Sequence, residues 1–185
     1  MIAYDLPEAV EVNGVRCPIR TDYRAILDIL TALNDPELTD ADRVSVTLGI
    51  FYSETIPDDT AAALQACMSF IAGGKEGKKQ TGPRLVDWEK DFQWIVSPIN
   101  RMLGKDIRGM AMHWWTFLSL YYEIGECTFS QIVRIRDAQA RGRKLDKTDR
   151  EWMRRNADLV YIEQKTTSAE REFLSLWTGG GSNGN

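Results

Sequence analysis

Met110-Ala111-Met112-His113-Trp114-Trp115-Thr116-Phe117-Leu118-Ser119-Leu120-Tyr121-Tyr122 concentrates large aromatic side chains around the only histidine of the chain. On a helical wheel Met110, Trp114, Phe117, Leu118 and Tyr121 fall on one side, with Ile124 continuing the stripe, while Met112, Trp115 and Tyr122 spread towards the other. A helix that is apolar nearly all round belongs at the centre of a fold. The pattern therefore predicts a central helix over about 110–124. Trp88, Phe92, Trp94, Phe129 and Ile132 supply enough intramolecular partners for it to be core rather than docking surface. Burying each large side chain there is worth roughly 1.5 to 3 kcal/mol. Trp88, Phe92, His113, Trp114, Phe117, Phe129 and Ile132 are the expected core, and Trp114→Ala is expected to unfold the second lobe defined below.

Upstream of this helix, Val10 to Ile19 alternates apolar and polar residues around Asn13-Gly14. That dipeptide tolerates the positive φ values of a type I′ turn, so a short hairpin is predicted, ending at Pro18. Two strands alone are marginal and need helices beneath them. Three helices follow. The first is capped by Thr21 or Asp22 and carries Tyr23, Ile26, Leu27, Leu30 and Leu33. The second starts at Thr39-Asp40-Ala41-Asp42. The third opens at Ile56-Pro57-Asp58-Asp59, turns Leu64, Cys67, Met68, Phe70 and Ile71 inward, and stops at Gly73-Gly74. Residues 73–84 hold four glycines, Pro83 and several lysines, the pattern of a flexible linker.

Beyond the linker, Asp87 caps a helix in which Pro98 should produce a kink or an end near Ser97. After the aromatic helix, Thr128 caps another, and Asp146 or Thr148 starts one taking in Trp152, Leu159 and Tyr161. Ser168 to Trp177 forms a last amphipathic turn, and 179–185 is a disordered tail. The expected fold class is mainly α, with a short N-terminal β-hairpin followed by a two-lobe multi-helix bundle. Its domains are an N-terminal lobe (1–72), a linker (73–84), a C-terminal helical lobe (85–178) and the tail (179–185). The length suits one well-filled core or two small lobes sharing one.

With 43% hydrophobic and 27% charged residues the chain is globular rather than disordered, and no apolar run approaches the ~18 residues of a membrane span. Neither a membrane nor a cofactor is expected as a partner. Self-association stays open. Three scattered cysteines form no Cys-x-x-Cys pair, so a zinc site or disulfide framework is not indicated. His113 has no serine or cysteine nucleophile in an evident constellation, and a structural histidine bonded to a backbone carbonyl is the plainer reading. The carboxylate groups Asp5/Glu8, Asp58/Asp59 and Asp87/Glu89/Asp91 are read as helix-start acids, favoured by the macrodipole. No enzymatic activity is expected.

One polar cluster stands out. From Arg134 to Arg155 there are nine basic residues, Arg134, Arg136, Arg141, Arg143, Lys144, Lys147, Arg150, Arg154 and Arg155, against four acids, a local balance of +5 in a chain of net charge −4. The cluster is either two solvated helix faces, a surface for an acidic protein segment, or, with less support, a nucleic-acid patch. Arg134, Arg136, Arg141, Arg143, Arg150, Arg154 and Arg155, with Phe173 and Trp177 near the C-terminus, are the partner-binding candidates.

The order of several segments adds a resemblance. Leu6 to Gly14, Ile19-Arg20-Thr21-Asp22-Tyr23-Arg24, Ile56-Pro57, the Gly73 to Lys79 linker and Asp91-Phe92-Gln93-Trp94-Ile95 come first. Met112-His113-Trp114-Trp115-Thr116-Phe117 and Thr128 to Arg136 follow. Together, over about residues 5–160, they resemble a family of small proteins of long-tailed bacteriophages and prophages, encoded between the major tail protein and the tape-measure protein. The resemblance implies a non-enzymatic tail assembly chaperone in the host cytoplasm, with the tape-measure protein and the tail-tube protein as partners. The chain departs from the family beyond about Asp158. Two rival readings are a structural or adaptor component retained in the tail, and a nucleic-acid-binding regulator working through residues 134–155.

Overall fold

A computed structural model describes residues 5–74 and 82–162. The first element is the hairpin. Strands β1 (Ala9–Val12) and β2 (Val15–Pro18) pair antiparallel with Val12 opposite Val15, and the turn residues Asn13 and Gly14 take φ of 50° and 79°. These are the left-handed values that a two-residue type I′ turn requires. The hairpin leans on the end of the second helix: Arg20 N–H donates to Phe51 O at 2.8 Å and Ser53 N–H to Pro18 O at 3.2 Å.

The first four α-helices and the seventh each begin where a short polar side chain accepts an orphan amide. Asp22 accepts from Arg24 N ahead of α1 (Tyr23–Ala32), Asp59 accepts from Ala62 N ahead of α3 (Thr60–Ile71), and Thr39 and Asp42 close a reciprocal capping box on α2 (Asp40–Phe51). Asp87 takes the amides of Glu89 and Lys90 to start α4 (Trp88–Leu103), which ends at Gly104 in the left-handed region, φ 69°. A 3-10 turn at Ile107–Gly109 leads to α5 (Trp114–Tyr122), followed by α6 (Thr128–Ala140), α7 (Lys147–Arg155) and the single turn α8 (Ala157–Val160). The expected fold class, mainly helical with an N-terminal hairpin, is therefore observed.

Several boundaries differ from expectation for identifiable reasons. α4 runs through Pro98 as one helix, because proline removes only one ladder donor while Ile95, Val96 and Ile99 bury the turns around it. The aromatic helix starts at Trp114, not Met110. Tyr23 N–H donates to Met112 O at 2.9 Å and Trp114 N–H to Thr21 O at 2.6 Å, so residues 112–114 lie extended against the entry to α1. Cys127, not Thr128, is the N-cap of α6, with its amide bonded to Ser130 Oγ at 2.9 Å. The helix expected from 146 past 161 breaks at Asn156, whose side-chain amide donates to Trp152 O, and Tyr161 is exposed. Met68, expected inside, is also exposed.

The segments on either side of 75–81 share one hydrophobic cluster that runs from Val12 and Cys17 through Phe51, Tyr52 and Phe70 to Ile95, Trp114, Phe117 and Phe129. Of the expected core residues, Trp114, Phe117, Phe129 and Ile132 are buried, while Trp88 and Phe92 are half-buried against them. Tyr23 stacks on Phe117 with ring centroids 4.9 Å apart, and Trp114 stacks on the same Phe117 at 5.5 Å. Offset ring pairs of this kind add to simple area burial. Cys17 and Cys67 are buried, and burial pushes the Cys67 thiol up to about 12, which removes it as a nucleophile.

Thr47 on α2 is fully buried with no hydrogen-bond partner for its hydroxyl among the described residues. Thr47→Val keeps the shape and removes that desolvated group, so it is expected to raise stability by about 1 kcal/mol in a urea titration. A lower midpoint would contradict the assignment.

Four carboxylates titrate below their usual range. At Asp22, burial pushes upward but hydrogen bonds from Arg24 and Met112 outweigh it. The Ala62 amide and the Asn13 side chain lower Asp59, the Arg108 side chain lowers Asp106, and the Arg141 side chain lowers Asp137. Their folded values lie below the unfolded value of about 3.9, so the stabilisation is complete above that pH and is lost as pH falls through the folded values. Tm is expected to stay level down to about pH 5 and to drop below about pH 4, with Asp59→Asn flattening part of the drop. A Tm that does not fall in acid would contradict this.

Candidate partner-binding surface

The aromatic segment is a structural hub. His113 is the N-cap of α5: its Nδ1 accepts from Trp115 N–H at 3.0 Å, and its Nε2 lies 3.0 Å from Pro7 O. With Nδ1 accepting, Nε2 carries the proton and donates to that carbonyl, so the ring is the structural histidine the sequence suggests. The two indoles act together. Trp114 Nε1–H donates to Ile71 O and Trp115 Nε1–H to Phe70 O, both at 2.9 Å; the first satisfies a carbonyl that the end of α3 leaves open, and the second joins the Gly73 amide at Phe70 O. Gly74 turns directly over the Trp115 ring, where an added Cβ would lie 3.0 Å from Cη2.

The basic cluster divides sharply by depth. Arg136, a partner-binding candidate by sequence, is not on the surface: it is 5% exposed and paired with Asp91, which is 1% exposed. All five of its N–H donors are used. Nε donates to Val160 O at 2.8 Å, Nη1 to Leu85 O and Asp91 Oδ2 at 2.9 and 2.5 Å, and Nη2 to Asp91 Oδ1 and Leu159 O at 3.0 and 2.7 Å. A planar fork with five donors suits this task, because it can bridge a carboxylate and three carbonyls at once. Asp91 also accepts from the Asp87 amide at 2.8 Å. Asp91 is the helix-start acid expected, in the first turn of α4, but that reading missed its second role as the partner of Arg136. The signal was its place on the apolar face of α4, three residues after Trp88 and four before Ile95.

The remaining arginines lie nearer the surface. Arg134 Nη2 is 2.7 Å from the buried Asp149. Arg141 and Arg143 both bond Asp137, and Arg155 is 3.8 Å from Glu151. Exposed pairs of this kind hold side chains loosely and add little stability, but they neutralise charge locally. Lys144, Lys147, Arg150 and Arg154 are exposed and, among the described residues, make no ion pair. Lys147, Arg150 and Arg154 follow an i, i+3, i+7 spacing, while Asp149, Trp152 and Met153 turn inward. The structure thus reduces a basic region of nine residues to one cationic face on α7. Phe173 and Trp177, the other partner-binding candidates, lie outside the described residues, as do most of the expected linker and the tail.

Among the described residues no group of three or more His, Cys, Asp or Glu side chains could hold a metal ion, and no helix is long and apolar enough to cross a membrane. The family described as Bacteriophage Gp15 protein matches residues 2–161 of the chain. No curated protein and no solved structure gives a significant match.

Proposed function

Because the chain belongs to the bacteriophage Gp15 protein family, we propose that it works in building the phage particle, as a non-enzymatic tail assembly chaperone in the host cytoplasm. The family match over residues 2–161 is the observation that carries this reading. The order of motifs around His113-Trp114-Trp115 supports the finer step, from phage morphogenesis to holding the tape-measure protein and admitting tail-tube subunits. The cationic face of α7 supplies a contact: Lys147, Arg150 and Arg154 are exposed, make no ion pair among the described residues, and suit an acidic helical segment. Pairing or burial of the other five arginines weakens the electrostatic footprint that a nucleic-acid reading needs.

Co-expression with the phage's tape-measure protein is expected to raise the soluble yield of that protein and to co-purify the two. Arg150→Glu combined with Arg154→Glu is expected to weaken co-purification at least about tenfold without lowering Tm, since neither side chain packs inward. Unchanged yield with the wild-type chain would overturn the chaperone reading. Finding the protein in stoichiometric amounts in purified virions would favour a retained tail component instead.

A further inference from the structure

The tip of the hairpin leaves an apolar groove uncovered. Alternation along the ladder sends Val10, Val12, Val15 and Cys17 to one face. Val12 and Cys17 are buried there, but Val15, at the tip of the same face, is 62% exposed. Across from it runs the non-helical stretch from Glu54 to Asp59, where Ile56 is 40% exposed. Between them lies a cleft of about 480 Å³ whose wall and floor include Val12, Val15, Cys17, Ile56 and Pro57.

The backbone of this wall is also partly free. A two-residue turn makes Val12 and Val15 a hydrogen-bonded pair, and alternation makes Val10 and Cys17 the next. Arg16 therefore directs its N–H and C=O away from β1. Pro18 has no N–H, and its carbonyl is taken by Ser53. Arg16 is the residue of this edge that can exchange both backbone bonds with an incoming chain.

The rim carries Glu54, Asp58 and Asp59 against Arg16. Asp59 is occupied by the cap of α3 and by the Asn13 side chain at 3.1 Å, whereas Glu54 and Asp58 make no ion pair among the described residues. We propose that the groove takes one extended segment of a partner protein in which an apolar side chain and, two residues from it on the same face, a lysine or arginine enter the groove, while the residue paired with Arg16 is neutral. The segment pairs with the Arg16 backbone, seats its apolar group between Val15 and Ile56, and sets its cation against Glu54 and Asp58. Two other occupants fit less well. The chain's own Glu170-Arg171-Glu172-Phe173-Leu174 would bring acids to an acidic rim. A second copy paired edge to edge through β2 would set Arg16 beside its equivalent, a like-charge contact that disfavours pairing. This site is separate from the α7 face and does not depend on the proposed chaperone role.

The test uses the full chain and a fluorescently labelled lysine peptide, in which threonines alternate with valine and lysine in turn so that valine and lysine share one face, with a glutamate peptide carrying glutamate in place of lysine as control. Binding is read by anisotropy and located by hydrogen exchange. The lysine peptide is expected to bind and to slow exchange at residues 12–18 and 54–59 but not at 147–155. Ile56→Lys, and separately Glu54→Lys with Asp58→Lys, are expected to weaken binding by about tenfold or more. Arg150→Glu is expected to leave it unchanged. Because all these side chains are exposed, unchanged Tm values confirm that the variants fold. The proposal is overturned if the lysine peptide does not bind, if the glutamate peptide binds equally, or if Ile56→Lys retains full affinity. It is also overturned if the chain forms a concentration-dependent dimer that Val15→Lys abolishes, since a second copy would then be the occupant.

Discussion

Asp91→Ala is expected to lower the unfolding free energy by about 3 to 5 kcal/mol, among the largest effects of any single substitution in this chain. The size follows from what remains behind. Arg136 is 5% exposed and cannot reach water, so loss of Asp91 leaves a buried guanidinium without its counter-charge. The Asp87 amide also loses its acceptor at the start of α4. A urea titration followed by circular dichroism reads the loss directly, and an unchanged midpoint would show that the pair is not desolvated as described. Further variants separate charge from geometry. Arg136→Lys keeps the charge but offers three donors where five are used, so it is expected to be clearly destabilised. Asp91→Leu with Arg136→Met removes both charges and should recover only part of the loss, because the carbonyls of Leu85, Leu159 and Val160 then lack a donor.

That ion pair marks the boundary of what the sequence discloses. Signals that act over a few residues are legible: Asn13-Gly14 specifies the turn, and Asp22, Thr39, Asp59, Asp87 and Asp146 cap the helices they precede. The character of the aromatic helix is legible in part: Trp114 and Phe117 are buried, whereas Tyr122 on the other side of the wheel is 70% exposed. Its start is not. The backbone of Met112 and Trp114 is committed to Tyr23 and Thr21, residues some ninety positions away. Nothing in the local pattern of Met110 to His113 announces that engagement.

The same limit governs the candidate surface. Nine basic residues between Arg134 and Arg155 look like one patch in the sequence, but a charge count is blind to partners. Arg136 finds Asp91 across 45 positions and Arg134 finds Asp149 across 15. Depth decides which arginines are available, and depth depends on tertiary packing. The i, i+3, i+7 spacing on α7 was present in the sequence but became informative only once Asp149 and Trp152 fixed the inner face. Val15 illustrates the converse. Its place in the alternation assigns it to the apolar face, yet at the hairpin tip it stays 62% exposed.

Trp114→Ala is the second substitution expected to have a large effect, again about 3 to 5 kcal/mol, through a cavity the size of an indole. Trp114 is 1% exposed, stacks on Phe117 at 5.5 Å and meets Trp88 edge-on at 6.4 Å. Its Nε1–H also holds Ile71 O at the end of α3, so truncation leaves a buried carbonyl without a donor. The sequence alone suggests that only the second lobe would unfold. The shared cluster changes that expectation, because α3 belongs to the segment before 75–81 and α5 to the segment after it. Far-ultraviolet and near-ultraviolet circular dichroism are therefore expected to report one transition, shifted down by about 10 °C. Two separated transitions would show that the lobes melt independently, and an unchanged Tm would show that the indole is not part of the core. Trp114→Phe keeps most of the apolar burial while removing the donor, so its smaller loss isolates the value of the bond to Ile71. It follows that reduced partner binding in a Trp114 variant would measure unfolding, whereas Arg150, Arg154 and Ile56, which face solvent, can be changed to probe docking alone.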